Sequence, residues 1–245
     1  MRFKRYGYNI HTLDMVFWPL MDSYSTTFMY YLSSINCVYN IIYNRIILKM
    51  KNILLIVDPQ NDFITGTLAV QGAKEKMLKL ADYIKDFNDD YDYIFVTLDT
   101  HPVEHCSFKE NGGMWPSHCV VFTNGWNMPE YLADAFHGLT SLFVYHKGDN
   151  RNKEEYSIFQ NEMCSKVLTQ QLQHFQEQDP DTYVDVCGIA GDYCVLETIK
   201  GLKDIINPEH ISVLMDLVAS IDGGEKLTEF LNNNGINYFN IGNKE

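Results

Sequence analysis

A chain of 245 residues, 46% of them hydrophobic, can build one ordinary globular core with little left for a second domain. Its net charge of −13 argues against nucleic acid or an anionic membrane surface as a partner, since both are recognised by concentrated basic patches. No run reaches the roughly 18 consecutive apolar residues of a membrane span, the N-terminus lacks the succession of a secretory signal, and six thinly spread cysteines do not form a disulfide framework, so a soluble cytoplasmic protein with free thiols is expected.

Residues 1–49 are crowded with Tyr, Asn, Ile and Met and keep no period of 2 or 3.6. With five basic residues against Asp14 and Asp22, the first 50 residues carry +3, which leaves −16 for the remainder. The stretch reads as an atypical extension, either a start-site artefact ahead of Met50 or an arm packed on a neighbouring subunit of a homo-oligomer. Residues 50–245 read as the single domain.

From Lys51 onward, short apolar runs alternate with helical stretches, the pattern of a parallel sheet covered on both faces. The spacing predicts central strands at Asn52 to Val57, Tyr93 to Leu98, Leu142 to Tyr145, Val184 to Ile189 and Ile211 to Met215, with a weaker sixth at Ile236 to Phe239. Helices are predicted at Ala73 to Phe87, Ser165 to Gln176, Tyr193 to Ile205 and Glu225 to Asn233. The fold class is therefore α/β, a three-layer α/β/α arrangement with a mostly parallel sheet of about six strands. Ligands of such sheets bind beyond the carboxyl ends of the strands, so the residues there carry the functional weight.

Those ends present Asp58, then Asp99 and His101, then His146 and Lys147, and finally the turn Gly191 to Cys194. Cys194 lies where a strand turns into a helix, and a helix N-terminus beside Lys147 would lower a thiol pKa from its ordinary value of about 8.5. Against this stands the ordinary fate of a free cysteine as a small buried apolar residue, which suits Cys187 better. Asp58 could accept the thiol proton and return it to a leaving amine. A turn aspartate bonded to its own loop is the plainer alternative, for which Asp62 is the better candidate. The segment from Asp99 through His101 and His105 to His118 gathers a carboxylate and three imidazoles within twenty residues, a donor mixture suited to Zn²⁺, Fe²⁺ or Mn²⁺. One carboxylate and two histidines suffice for such a site, which leaves His105 in an outer role.

Taken together, Asp58-Pro-Gln-Asn-Asp-Phe63, Asp99-Thr-His-Pro-Val-Glu-His-Cys-Ser-Phe108, Trp115-Pro-Ser-His-Cys119, Lys147-Gly with Tyr156-Ser157, and Gly188-Ile-Ala-Gly-Asp-Tyr-Cys194 resemble the isochorismatase-like cysteine hydrolase superfamily, most closely its nicotinamidase branch. The resemblance covers Met50 to the C-terminus. It implies a triad of Asp58, Lys147 and Cys194, one divalent metal ion, with zinc first among the choices, on Asp99, His101 and His118, and a cis peptide between Ile189 and Ala190. It further implies an oxyanion hole from the N–H groups of Ala190 and Cys194, an aromatic substrate ring flanked by Phe63 and Trp115, and conversion of nicotinamide to nicotinate and ammonia through a thioester. Two departures stand out: Val120 to Trp126 replaces the usual Gln-Gly-Thr stretch along the expected pocket approach, and Gly191 replaces the usual Thr. Rival readings are a related amidohydrolase acting on a carbamoyl or ureido amide, and a non-catalytic scaffold that binds a metabolite or a partner.

Overall fold

The structure, a computed structural model, describes residues 51–241; the extension read at residues 1–49 lies outside the described residues. Six strands, β1 (Asn52–Val57), β2 (Tyr93–Asp99), β3 (Leu142–Lys147), β4 (Tyr183–Ile189), β5 (Ile211–Ala219) and β6 (Asn237–Phe239), form one sheet in the order β3-β2-β1-β4-β5-β6. Every pairing is parallel. The helices are α1 (Asn61–Ile64), α2 (Ala73–Phe87), α3 (Glu130–Phe136), α4 (Cys164–Gln178), α5 (Leu196–Leu202) and α6 (Glu225–Asn234).

The layers follow from the connections. The chain steps outward from β1 to β3 through α2 and α3, then crosses back through α4 and builds the other half through α5 and α6. With right-handed crossovers, α2 and α3 lie on one face and the remaining long helices on the other. Accordingly α2 packs on α3, while Lys200 and Lys203 lie over the Phe230 ring of α6. The central strand β1 has helices on both sides, which is why Ile53 through Val57 are all buried and all apolar. On α2 the buried residues Ala73, Met77, Leu80, Ala81 and Ile84 form one stripe at helical spacing. Each large side chain so buried contributes roughly 1.5–3 kcal/mol.

The tertiary structure changes several expectations. β3 is an edge strand rather than a central one, and Phe143 and Val144 are consequently exposed. β2 and β3 run on to pair Asp99 with Lys147, so these two residues, with His146, belong to the strands instead of following them. β5 continues to Ala219, past the Asp216 that interrupts its apolar run. The helix expected from Tyr193 to Ile205 is a π-helical turn, Gly191–Val195, followed by the short α5.

The chain leaves β1 toward one side of the sheet and leaves β4 toward the other. Between these neighbours lies the crevice where open α/β sheets bind ligands. Asp58 follows β1 and the π-helical turn follows β4, so both border it.

Candidate active site

Asp58 leaves β1 in the left-handed backbone region, with φ of 47°. Its N–H donates to the Thr97 carbonyl (3.0 Å) and its Oδ1 accepts from the Thr97 hydroxyl (2.8 Å). Oδ2 thereby faces Lys147 Nζ at 2.8 Å. The same ammonium donates to Asp99 Oδ1 (2.6 Å) and to the Glu155 carbonyl (3.2 Å), and stands 3.7 Å from Cys194 Sγ. Asp58 and Lys147 are fully buried, Asp99 and Cys194 nearly so. Three groups distant in sequence thus meet around one sulfur.

The electrostatics of that meeting differ from the sequence expectation. Burial opposes charge on Lys147, but the flanking Asp58 and Asp99 carboxylates outweigh it and hold the ammonium well above its ordinary pKa. Burial likewise opposes charge on Asp99, yet Lys147 and then His101 keep its carboxyl well below the usual range. Burial pushes the Cys194 thiol well up; Lys147 opposes this, and the Asp58 and Asp99 carboxylates add to it. The direction is opposite to the lowering expected of a helix end. Cys194 sits within the π-helical turn, enclosed and flanked by two carboxylates. Asp58 is likewise raised by burial, with Lys147 opposing.

A second cluster adjoins the first. Asp99 Oδ2 lies 3.2 Å from His101 Nε2 and 3.8 Å from His118 Nε2, with all three donor atoms within 4.8 Å of one another. His101 Nδ1 bonds the Gly148 carbonyl and His118 Nδ1 bonds the Pro116 carbonyl, each at 2.8 Å. A carbonyl only accepts, so each Nδ1 carries a proton, and in the neutral ring each Nε2 presents a lone pair. His101 Nε2 is buried without a hydrogen-bond partner, the condition of a ligand atom facing a cation. The donor set therefore fits a divalent ion. Gln60 grips the backbone of Asp99 from both sides, accepting from its N–H and donating to its carbonyl at 2.8 Å each. Gly148 has φ of 72°, and a β-carbon there would stand 2.5 Å from the His101 ring, so glycine alone fits.

His105 stacks on His101 with ring centroids 4.0 Å apart. Its ring nitrogens bond Ser107 Oγ (2.7 Å) and the Lys153 carbonyl (3.0 Å), which leaves neither free in this arrangement. His146, noted at the same strand end, bonds Thr100 Oγ1 and stacks on Trp126, apart from the cavity. Cys187 lies buried in the sheet, its thiol pushed up by burial. Asp62 accepts from its own loop at Thr67 N–H and also holds Cys119 N–H at 2.7 Å.

A cavity of about 30 Å³ opens onto Cys194, Ala190, Asp99 and His118, walled by Phe63, Leu68, Val70, Trp115, Glu154, Tyr156, Tyr193 and Ile221. Trp115 Nε1 donates to Tyr156 OH (3.0 Å), and the Trp115 and Tyr193 rings meet edge-on at 5.0 Å. Phe63 and Trp115, singled out in the sequence, both line the cavity. Tyr193 and Gln60 sit inside the recognised motifs without having drawn notice, and Ile221 lies beyond the expected end of β5. Glu154 lies in a polar run that carries no sequence signal. No residue of Val120 to Trp126 lines the cavity itself; Trp126 donates from Nε1 to Thr100 Oγ1. The peptide between Ile189 and Ala190 is cis. A larger open groove of about 760 Å³, lined by Asn61, Lys74, Asn127 and Tyr131 among others, has no cysteine or histidine in its walls. No helix among the described residues is long and apolar enough to cross a membrane.

Comparison with known proteins places this geometry. No protein-family model matches the chain. A nicotinamidase of Acinetobacter baylyi is 33% identical over 187 residues, covering 69% of this chain and 81% of its own length. Among solved structures, the pyrazinamidase of Pyrococcus horikoshii in complex with zinc is 30% identical with a TM-score of 0.62, covering 78% of this chain and 99% of that one. The yeast nicotinamidase bound to the inhibitor nicotinaldehyde is 26% identical with a TM-score of 0.65, covering 77% and 99%. Shared sequence over two thirds of the chain and a shared parallel sheet lead to one conclusion: the chain belongs to the nicotinamidase family of isochorismatase-like hydrolases.

Proposed function

We propose that this protein hydrolyses nicotinamide to nicotinate and ammonia, with Cys194 as nucleophile, Asp58 as general base and acid, and Lys147 as the fixed cation between them. The observation that carries this reading is the position of Lys147 Nζ, 2.8 Å from Asp58 and 3.7 Å from Cys194 Sγ at the cavity floor. Nicotinaldehyde, the inhibitor in the yeast relative, has the substrate's ring with a carbonyl carbon in place of the amide, which supports a site that presents that carbon to a thiol.

The proton inventory follows from the resting state. Cys194 gives its thiol proton to Asp58 as sulfur attacks the carboxamide carbon. A carbon–sulfur bond forms and the carbonyl π electrons move onto oxygen, where the N–H groups of Ala190 and Cys194 would stabilise them. The oxyanion collapses, the carbon–nitrogen bond breaks, and the leaving nitrogen takes the proton held by Asp58, so ammonia departs. Water then gives a proton to Asp58 and adds its oxygen to the thioester. Breaking the carbon–sulfur bond releases nicotinate, and the sulfur recovers its proton. Lys147 holds Asp58 in its ionised, proton-accepting form and stabilises negative charge on sulfur during attack.

Asp99, His101 and His118 would hold a divalent ion, zinc as in the Pyrococcus horikoshii relative, which supplies a Lewis-acid docking point for the pyridine nitrogen. Phe63 and Trp115, both in the cavity wall, would flank the ring. The free thiols of Cys106, Cys119, Cys164, Cys187 and Cys194 suit a reducing cytoplasm.

Cys194→Ala tests the reading. Ammonia release from nicotinamide should fall to the uncatalysed level while nicotinate still binds; turnover persisting in this variant would eliminate Cys194 as nucleophile.

A further inference from the structure

We infer that Ser220 is a positioning residue for the oxyanion turn, supplying from the loop after β5 a group that stands where a side chain on residue 191 would otherwise be. The inference rests on the reading of Ala190 and Cys194 as oxyanion donors, and adds to it the element that braces their turn from behind.

Gly191 opens the turn, and its backbone is not in the left-handed region that demands glycine. What demands glycine is space. A β-carbon on residue 191 would fall 2.0 Å from Ser220 Oγ, 2.8 Å from Val218 Cγ1 and 3.2 Å from Ser220 Cβ. Contacts that short do not occur, so a side chain at 191 would require the Ser220 hydroxyl and the Val218 methyl to give way. The serine hydroxyl thus occupies the room behind the peptide segment that carries the Ala190 and Cys194 N–H groups. The next residue is tied to the same turn: Ile221 N–H donates to Asp192 Oδ1 at 2.8 Å, and Asp192 is buried. Ile221 also lines the cavity, half-exposed at 51%. One dipeptide therefore presses on the turn with its first residue and walls the substrate with its second. A loosened turn would aim its N–H groups less well at a developing oxyanion and leave ground-state binding nearly unchanged, since such donors act mainly on the tetrahedral state.

The test is a double-mutant cycle on the full-length, metal-loaded enzyme, with Gly191→Thr moving the hydroxyl onto the turn itself and Ser220→Gly clearing the room for it. Ser220→Gly alone should lower kcat about 5-fold with KM altered less than about 2-fold, and Gly191→Thr alone should lower kcat at least about 30-fold. The double variant should recover at least about 10-fold over Gly191→Thr, the coupling expected of side chains competing for one volume. Binding supplies a readout free of turnover: affinity for nicotinaldehyde, which forms a tetrahedral adduct with a thiol, should follow kcat through the cycle while affinity for planar nicotinate stays level. Should Gly191→Thr fail to fold, as thermal unfolding would reveal, Gly191→Ala replaces it, because its β-carbon meets the same oxygen. Additive effects, or a Gly191 variant as active as the parent, would overturn the inference. Cys194→Ala run in parallel separates the two failures: if it is inactive and the cycle is additive, only the role of Ser220 falls, whereas if it turns over nicotinamide the underlying catalytic reading falls too.

Discussion

The two ends of the sheet each bury carboxylates, yet only one end is built to react. At the amino end, Asp185 on β4 accepts from Tyr91 OH at 2.7 Å, and Tyr91 OH is 2.6 Å from Tyr83 OH. At the carboxyl end, Asp58 and Asp99 share one ammonium beside a thiol and a cavity. Burial is common to both; the difference lies in the neighbours. At the amino end, tyrosine hydroxyls bond the carboxylate and tie β4 to the segment before β2. An ammonium shared by two carboxylates and a sulfur holds charge and a mobile proton in place, which costs stability and yields chemistry.

Lys147→Met should break this contrast most severely. It leaves the buried Asp58 and Asp99 carboxylates without the ammonium they share, so activity should fall by at least about 1,000-fold, and stability by about 3–5 kcal/mol, the cost of removing one partner from a buried ion pair. Steady-state kinetics with denaturant unfolding would check both, and near-parent activity would mean that the cation is not part of the chemistry. His118→Ala should act next in size and more selectively. Bound metal, measured by elemental analysis after dialysis, should weaken at least 100-fold or so, with a higher KM and an intact fold. Retention of stoichiometric metal would remove His118 from the ligand set.

A smaller effect is expected at Glu155, which straps the segment after β3 by accepting from Gly148 N–H (3.0 Å), Asn161 (2.9 Å) and Lys153 (3.0 Å). Burial opposes its charge, but these bonds prevail and hold its carboxyl below the ordinary 4.5. A carboxyl depressed in the folded state contributes stability that is fully present above pH 4.5 and lost as pH falls through the folded value. The thermal-stability gap between the parent and Glu155→Gln, worth about 1–2 kcal/mol at neutral pH, should therefore close below that point. A gap unchanged down to pH 3 or so would contradict the assignment. Tyr91→Phe should move activity least of all. It removes the hydrogen bond to Asp185 and costs about 1–3 kcal/mol of stability with kcat unaltered. A loss of turnover in the folded variant would show that the two ends of the sheet are coupled after all.

Much of this was legible before any coordinates. The apolar run of β1, and that of β4 interrupted only by Asp185, read as buried strands, because both faces of a central parallel strand meet helices. The residues at the carboxyl ends were legible for a related reason, since chain direction places every such end on one edge. Strand extent was less legible. Asp99 and Lys147 look like loop residues, and they become strand residues only because each completes the other's ladder.

By itself the sequence determined the alternation of strands and helices, the shared edge, and the identities of the acid, ammonium, thiol and imidazoles. Only the tertiary structure decided the rest. It set β3 at the edge, tied up both nitrogens of His105, gave Ser220 the space beside Gly191, and buried the Cys194 thiol between two carboxylates and an ammonium. Each of these depends on what approaches from another part of the chain, and the energy of a buried charge or a filled volume is a property of its surroundings rather than of the residue that bears it.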